Sequence, residues 1–153
     1  LIEANISIEH LNNELKKDYS FVERSLNQSD LKIESSQGKI IFDQSGISVV
    51  VISPFKENYR IEGTTMEIYD VYLDQKQVVD IRTSENFFLH ILMNGIVENS
   101  DKYQVSINTN SIDIIASDEN NTVNFFFDEN SLLRLIKYKD SIGVEHGIEL
   151  TEL

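Results

Sequence analysis

Short apolar runs, cut about every ten residues by turn-forming side chains, constrain this sequence more than any other feature. From Tyr103 onward they lie at Val105–Ile107, Ile112–Ala116, Val123–Phe127, Leu132–Tyr138 and Val144–Leu150. The separators are Asn108–Ser111, Asp118–Asn121, Asp128–Ser131 and Lys139–Gly143. Three more runs lie earlier, at Lys39–Phe42, Ile47–Ile52 and Thr65–Tyr69. Each is too short for a helix and rich in β-branched and aromatic residues, so each reads as an antiparallel strand. Gly46 and Gly63 suit turn positions that need positive φ. Pro54 cannot donate to a ladder, so it should end a strand or sit on an edge.

Alternation then assigns the faces. Val105 and Ile107 alternate with Gln104 and Ser106, and Val123, Phe125 and Phe127 with Asn124. One face of such a sheet is buried and the other wet. Little helix is available to cover it. Ser7 can cap a helix carrying Ile8, Leu11 and Leu15 on one face, and periodicity alone would extend it through Tyr19, Val22 and Leu26. A second helix lies between Ser84, a possible cap, and Asn94-Gly95, a possible stop. Its segment ENFFLHILM is apolar nearly all round, so it must be enclosed on more than one side. It is either a buried core helix or a lid whose spare side faces a ligand, for which Met93 and the paired Phe side chains would suit. Two helices are little cover for about ten or eleven strands, a number near the limit of an open sheet. The shortage implies a cavity, although a closed barrel filled by its own side chains would satisfy the same pattern.

The stretch Gly38–Gln75 also carries a resemblance. Gly38, Pro54, Glu62-Gly63, Tyr69-Asp70, Leu73 and Gln75 stand at spacings that resemble the core signature of the LolA family, periplasmic carriers of outer-membrane lipoproteins. The resemblance continues more weakly to about Leu150, where Asp140-Ser141-Ile142-Gly143 is similar to a D-x-x-G turn of that family. It implies a short first helix, 7–17, and a strand from about residue 20, where Leu26-Asn27-Gln28 is similar to an aromatic-x-Gln pattern. Two positions depart from the family. Asp43-Gln44 stands where it carries Arg-Pro, and Val49 where it often carries Trp. The family Arg closes the lid, so Asp43 occupies the latch position.

Composition limits the alternatives. One domain, 1–153, is the natural reading of this length, and 41% apolar with 25% charged residues is globular. Thirteen basic against 26 acidic residues give a net charge of −13. That argues against nucleic-acid backbones and anionic membrane surfaces. The absence of cysteine excludes disulfides and thiolate metal sites.

No catalytic constellation emerges. His10, His90 and His146 lie far apart and in no metal-binding spacing, and His90 reads as a satisfied core or rim histidine. Asp118-Glu119 and Asp128-Glu129 read as solvated turn charge. No nucleophile-elbow, Walker A or dinucleotide motif occurs.

What remains is apolar recognition, which needs a concave dry surface. The candidate lining residues are Ile40, Phe42, Ile47, Val49, Val51, Met66 and Ile68, with Phe87, Phe88, Ile91 and Leu92 from the second helix. The expected fold is mainly β (α+β): an incomplete antiparallel β-barrel, or strongly curved sheet, with lid helices over the concave face. By resemblance the chain would be a monomeric periplasmic chaperone, with its secretory signal removed. It would take lipoproteins by their acyl chains from an inner-membrane ABC transporter to an outer-membrane acceptor, without a cofactor. The alternative is a binder of another hydrophobic ligand or lipid, or a signalling or interaction domain, on the same scaffold.

Overall fold

The computed structural model describes residues 6–27, 29–84, 86–117, 121–140 and 142–153. Helix α1 (Ile8–Glu14) opens the described chain and is followed by strands β1 (Tyr19–Asn27), β2 (Lys32–Phe42), β3 (Ile47–Ser53), β4 (Glu57–Glu62), β5 (Thr65–Asp70) and β6 (Gln75–Asp80). A single 3₁₀ turn (Ile81–Thr83) leads to helix α2 (Phe87–Asn94). Five strands complete the chain: β7 (Tyr103–Ile107), β8 (Ser111–Ala116), β9 (Thr122–Phe127), β10 (Leu133–Lys139) and β11 (Val144–Glu152).

All eleven strands form one curved, unclosed sheet in the order β6-β5-β4-β3-β2-β1-β11-β10-β9-β8-β7, and every pairing is antiparallel. The first and last strands meet at its centre, where Phe21 lies between Gly38 and Leu150. The two edge strands, β6 and β7, are therefore consecutive in sequence. The segment joining them, which contains α2, forms the cover over the unclosed barrel's concave face.

Local sequence explains most of these elements. The Ser7 side chain accepts from the His10 N–H at 3.0 Å, and α1 ends by Leu15, so the short helix occurs and the long one does not. Tyr19 and Phe21 turn their side chains into the core, which forces the period to 2. The N-cap of α2 is Asn86 and not Ser84. The Asn86 side chain accepts from the N–H groups of Phe88 and Leu89, and Ser84 Oγ accepts from Asn86 N–H one step upstream. Gly95 stops the helix at φ 72°. Gly63 has positive φ as expected, but Gly46 does not. Gly46 is needed because a Cβ there would lie 2.1 Å from the Ile61 carbonyl oxygen. Ile107 is exposed where alternation would bury it, at the end of the edge strand β7.

Packing divides the concave side into two unequal halves. Over β8–β10, Ile112, Ile114, Val123, Phe125 and Leu133 are sealed from solvent in one cluster with Leu11 of α1 and Ile91 of α2. Burying one such side chain contributes about 1.5–3 kcal/mol, so this half holds most of the stabilising apolar contact. Asn12 locks the helices together: its amide donates to the Ile96 carbonyl at 2.8 Å and accepts from the Ile96 N–H at 3.0 Å. Buried Glu14 accepts from the Leu133 N–H at 2.9 Å and pairs with Lys17. Over β2–β5 the buried cluster is much smaller, with Ile47, Ile61 and Ile81 at its centre.

Candidate functional site: an apolar hollow under the second helix

The thinly packed half encloses a cavity of about 740 Å³, within the range of small-molecule sites. Its floor is the inner face of β1–β5, completed by β10 and β11, and Phe88, Leu89 and Leu92 of α2 form its cover. Leu15 closes one end. There the lining residues Tyr19, Ile47 and Ile61 are buried. At the other end Glu34 and Phe55 are exposed, so the hollow opens toward the β3–β4 hairpin.

Of the candidate lining residues, Ile40, Ile47, Val49, Val51, Met66, Phe88 and Leu92 border this cavity together. Phe42 and Ile91 do not. They line a second crevice of about 850 Å³ between the β2–β3 turn and the end of α2, which Ile47 and Leu92 also border. Phe87 packs edge-on against Tyr103, ring centres 6.1 Å apart, on the filled side. Ile68 lies further out along the sheet, level with Tyr59 and Gln77.

Several cavity residues escaped sequence reasoning: Tyr19, Phe21 and Glu23 of β1, Tyr59 of β4, Ile136 and Tyr138 of β10, and Ile148 and Leu150 of β11. They face the hollow because β11 closes against β1 at the sheet's centre. The alternation Tyr19, Phe21, Glu23 was the available signal.

The mouth half is polar and densely bonded. Tyr138 stacks between Phe88 of α2 (centroids 4.7 Å apart) and His146 of β11 (4.6 Å, rings within 8° of parallel). His146 sits between two carboxylates, Nδ1 3.1 Å from Glu23 Oε1 and Nε2 2.8 Å from Asp140 Oδ2. Only the doubly protonated ring can donate to both. Burial opposes that charge, but the bonds to Glu23 and Asp140 outweigh it and raise the His146 pKa above its ordinary value. Burial, reinforced by Glu57, pushes the Tyr59 hydroxyl up to about 12. Burial likewise pushes Tyr138 well up, with Glu23 and Asp140 adding to it. Both phenols therefore stay neutral and polar at the mouth.

Asp43, at the latch position, borders the second crevice with the end of α2, but its carboxylate is bonded to β4 and to its own turn. Arg60 of β4 donates to its carboxylate twice, at 2.8 and 3.0 Å, and the Ser45 and Gly46 N–H groups donate at 2.9 Å each. The Arg60 guanidinium, followed by the bonds from Ser45, holds the Asp43 carboxyl well below the usual carboxylate range. The pair clamps the β2–β3 turn to the outer face of β4.

The remaining candidates are structural. His90 Nε2 lies 2.7 Å from the Ser84 carbonyl, and the His10 ring contacts the Ser131 carbonyl oxygen. Asp128 accepts from the N–H groups of Asn130 and Leu132 and from Arg134. Asp118, Glu119, Gln28 and Ser141 lie outside the described residues. Among the described residues no group of three potential ligands could hold a metal ion.

No family model and no curated protein matches the sequence. Solved structures do match. The structure's neighbours include a LolA-superfamily protein and a lipoprotein-sorting domain. A LolA superfamily protein from Nitrosomonas europaea aligns over 99% of this chain and 93% of its own, with TM-score 0.49 and 9% identity. An outer-membrane lipoprotein-sorting protein domain from Vibrio parahaemolyticus aligns over 95% and 90%, with TM-score 0.47 and 10% identity. A DUF1329 family protein from Desulfovibrio piger aligns over 94% and 88%, with TM-score 0.46 and 9% identity.

Proposed function

We propose that this protein is a carrier and not an enzyme: it shelters the acyl chains of lipoproteins under α2 and moves them through the periplasm from an inner-membrane ABC transporter to an outer-membrane acceptor. The observation that carries this reading is the hollow itself. It is apolar at its closed end, polar at its mouth, and covered by a helix that presents Phe88, Leu89 and Leu92 to it. Acyl chains carry no charge and need no catalytic group, and each methylene moved out of water contributes about 0.8 kcal/mol. Ile40, Ile47, Val49, Val51 and Met66 would contact the chain from the sheet, and Phe88 and Leu92 from the cover. Release then requires a competing apolar site, supplied by the acceptor.

The test is photo-crosslinking from positions 49 and 88 with a triacylated lipoprotein and with its unacylated form. Crosslinks to the acylated form alone support the carrier; none from either position would sink it. A second reading, a binder of another hydrophobic ligand on the same scaffold, is favoured by Asp43. Its carboxylate is committed to Arg60 on the outer face and does not latch the cover. Lipid extracted with the purified protein, identified by mass spectrometry, distinguishes the two.

A further inference from the structure

The hairpins of this sheet are not alike at its two ends. At the cavity-mouth end, four neighbouring turns each expose at least one large apolar side chain: Leu31 (71% exposed), Phe55 (67%), Tyr72 and Leu73 (66% and 64%) and Ile142 (83%). Ile33, beside Leu31, is 70% exposed. At the opposite end the turns 43–46, 63–64, 108–110 and 128–132 expose none, although Ile107, just before the 108–110 turn, and Leu153, after β11, are exposed there. A soluble surface tolerates single exposed apolar residues, but a set gathered on neighbouring hairpin tips marks an interaction site.

We infer that this rim docks the protein on the surface of a zwitterionic lipid bilayer, mouth first. Three features favour lipid over a protein partner. The side chains project one or two at a time from separate hairpins along one end of the curved sheet, so they form a row of points and not a flat, continuous face such as protein interfaces use. Each hairpin also carries a lysine close to its apolar tip: Lys32 beside Leu31, Lys56 beside Phe55, Lys76 three residues after Leu73, and Lys139 three before Ile142. The same hairpins carry Asp30, Glu57, Asp70, Asp74 and Asp140, and Lys76 pairs with Glu67, so the rim bears both signs of charge and suits the paired charges of a zwitterionic headgroup while the apolar tips enter the acyl boundary. Finally, Pro54 and Phe55 belong both to the rim and to the cavity lining, so a docked mouth opens onto the bilayer and not into water. The net charge of −13 restricts the surface to zwitterionic lipid, since strongly anionic bilayers repel the rest of the molecule.

This docking does not depend on what the cavity holds. The test is flotation of the whole chain with phosphatidylcholine vesicles, compared with a Leu31→Ser/Leu73→Ser variant, whose side chains lie outside the cavity lining, and a Thr64→Ala/Thr109→Ala control in the opposite turns. Circular dichroism and binding of a neutral naphthylamine probe establish that each variant is folded and still hollow. The expected result is flotation of the parent and the control, and a partition coefficient about ten-fold lower for the rim variant. The inference is overturned if the parent does not float, or if the rim variant floats equally well. It is also overturned if the parent sediments as a dimer that the rim substitutions dissociate, because the rim then packs on a second copy of the chain.

Discussion

At the scale of single residues, the most informative side chain is His146. Its raised pKa means that pairing with Glu23 and Asp140 contributes stability that is fully present below the ordinary value of 6.5. That contribution is lost as pH rises through the higher value of the folded state. His146→Gln should therefore lower the thermal midpoint most on the acid side of neutrality, with the difference from the parent shrinking as pH rises. Melting curves of both proteins from about pH 5 to about pH 9 check this, and a constant difference would contradict it. Asp43 makes the opposite kind of prediction. Because its bonds run to Arg60 and to its own turn, Asp43→Asn should lower the melting temperature and leave the affinity of the cavity for a neutral apolar probe unchanged. A changed affinity would show that position 43 acts on the cover after all.

At the scale of elements, the cover depends on how α2 is tied down. Asn12 bridges both backbone groups of buried Ile96, so Asn12→Ala would leave them without partners. The expected cost is about 1–3 kcal/mol by chemical denaturation, together with faster hydrogen exchange in α2. Phe88→Ala should be costlier, about 3 kcal/mol, since it removes one member of the Phe88–Tyr138–His146 stack. The long meander from Tyr103 was legible because its apolar runs are dense and its turns rich in Asn, Asp and Gly. Strands β4 and β6 and the first half of β2 were not. Their sequences, ENYRIE, QKQVVD and KIESSQ, carry few apolar residues: β4 gives only Tyr59 and Ile61 to the hollow's apolar lining, the first half of β2 lines its polar mouth, and β6 is an edge strand. Gly46 was misassigned for a related reason. Its turn φ is ordinary, and the constraint is the nearby Ile61 carbonyl, which only the tertiary fold brings there.

At the scale of the whole molecule, an excess of apolar sheet over helix is resolved by filling one half and leaving the other open. Leu11 and Ile91 seal the β8–β10 side, while Phe88, Leu89 and Leu92 only roof the β2–β5 side. The sequence foretold the shortage of cover but not its asymmetry, which follows from β11 pairing with β1. That pairing also brings β10 and β11 to the cavity, which is why Tyr138 and Ile148 were missed while Ile40 and Val49 were found. The measurement that tests the account most directly is titration of a neutral fluorescent apolar probe into the parent and into Val51→Trp, whose indole would occupy the hollow. The account predicts one saturable site in the parent, displaced by a monoacylglycerol, and loss of that site in a Val51→Trp protein that still melts cooperatively. Equal binding by the two proteins, or no saturable site in the parent, would contradict it.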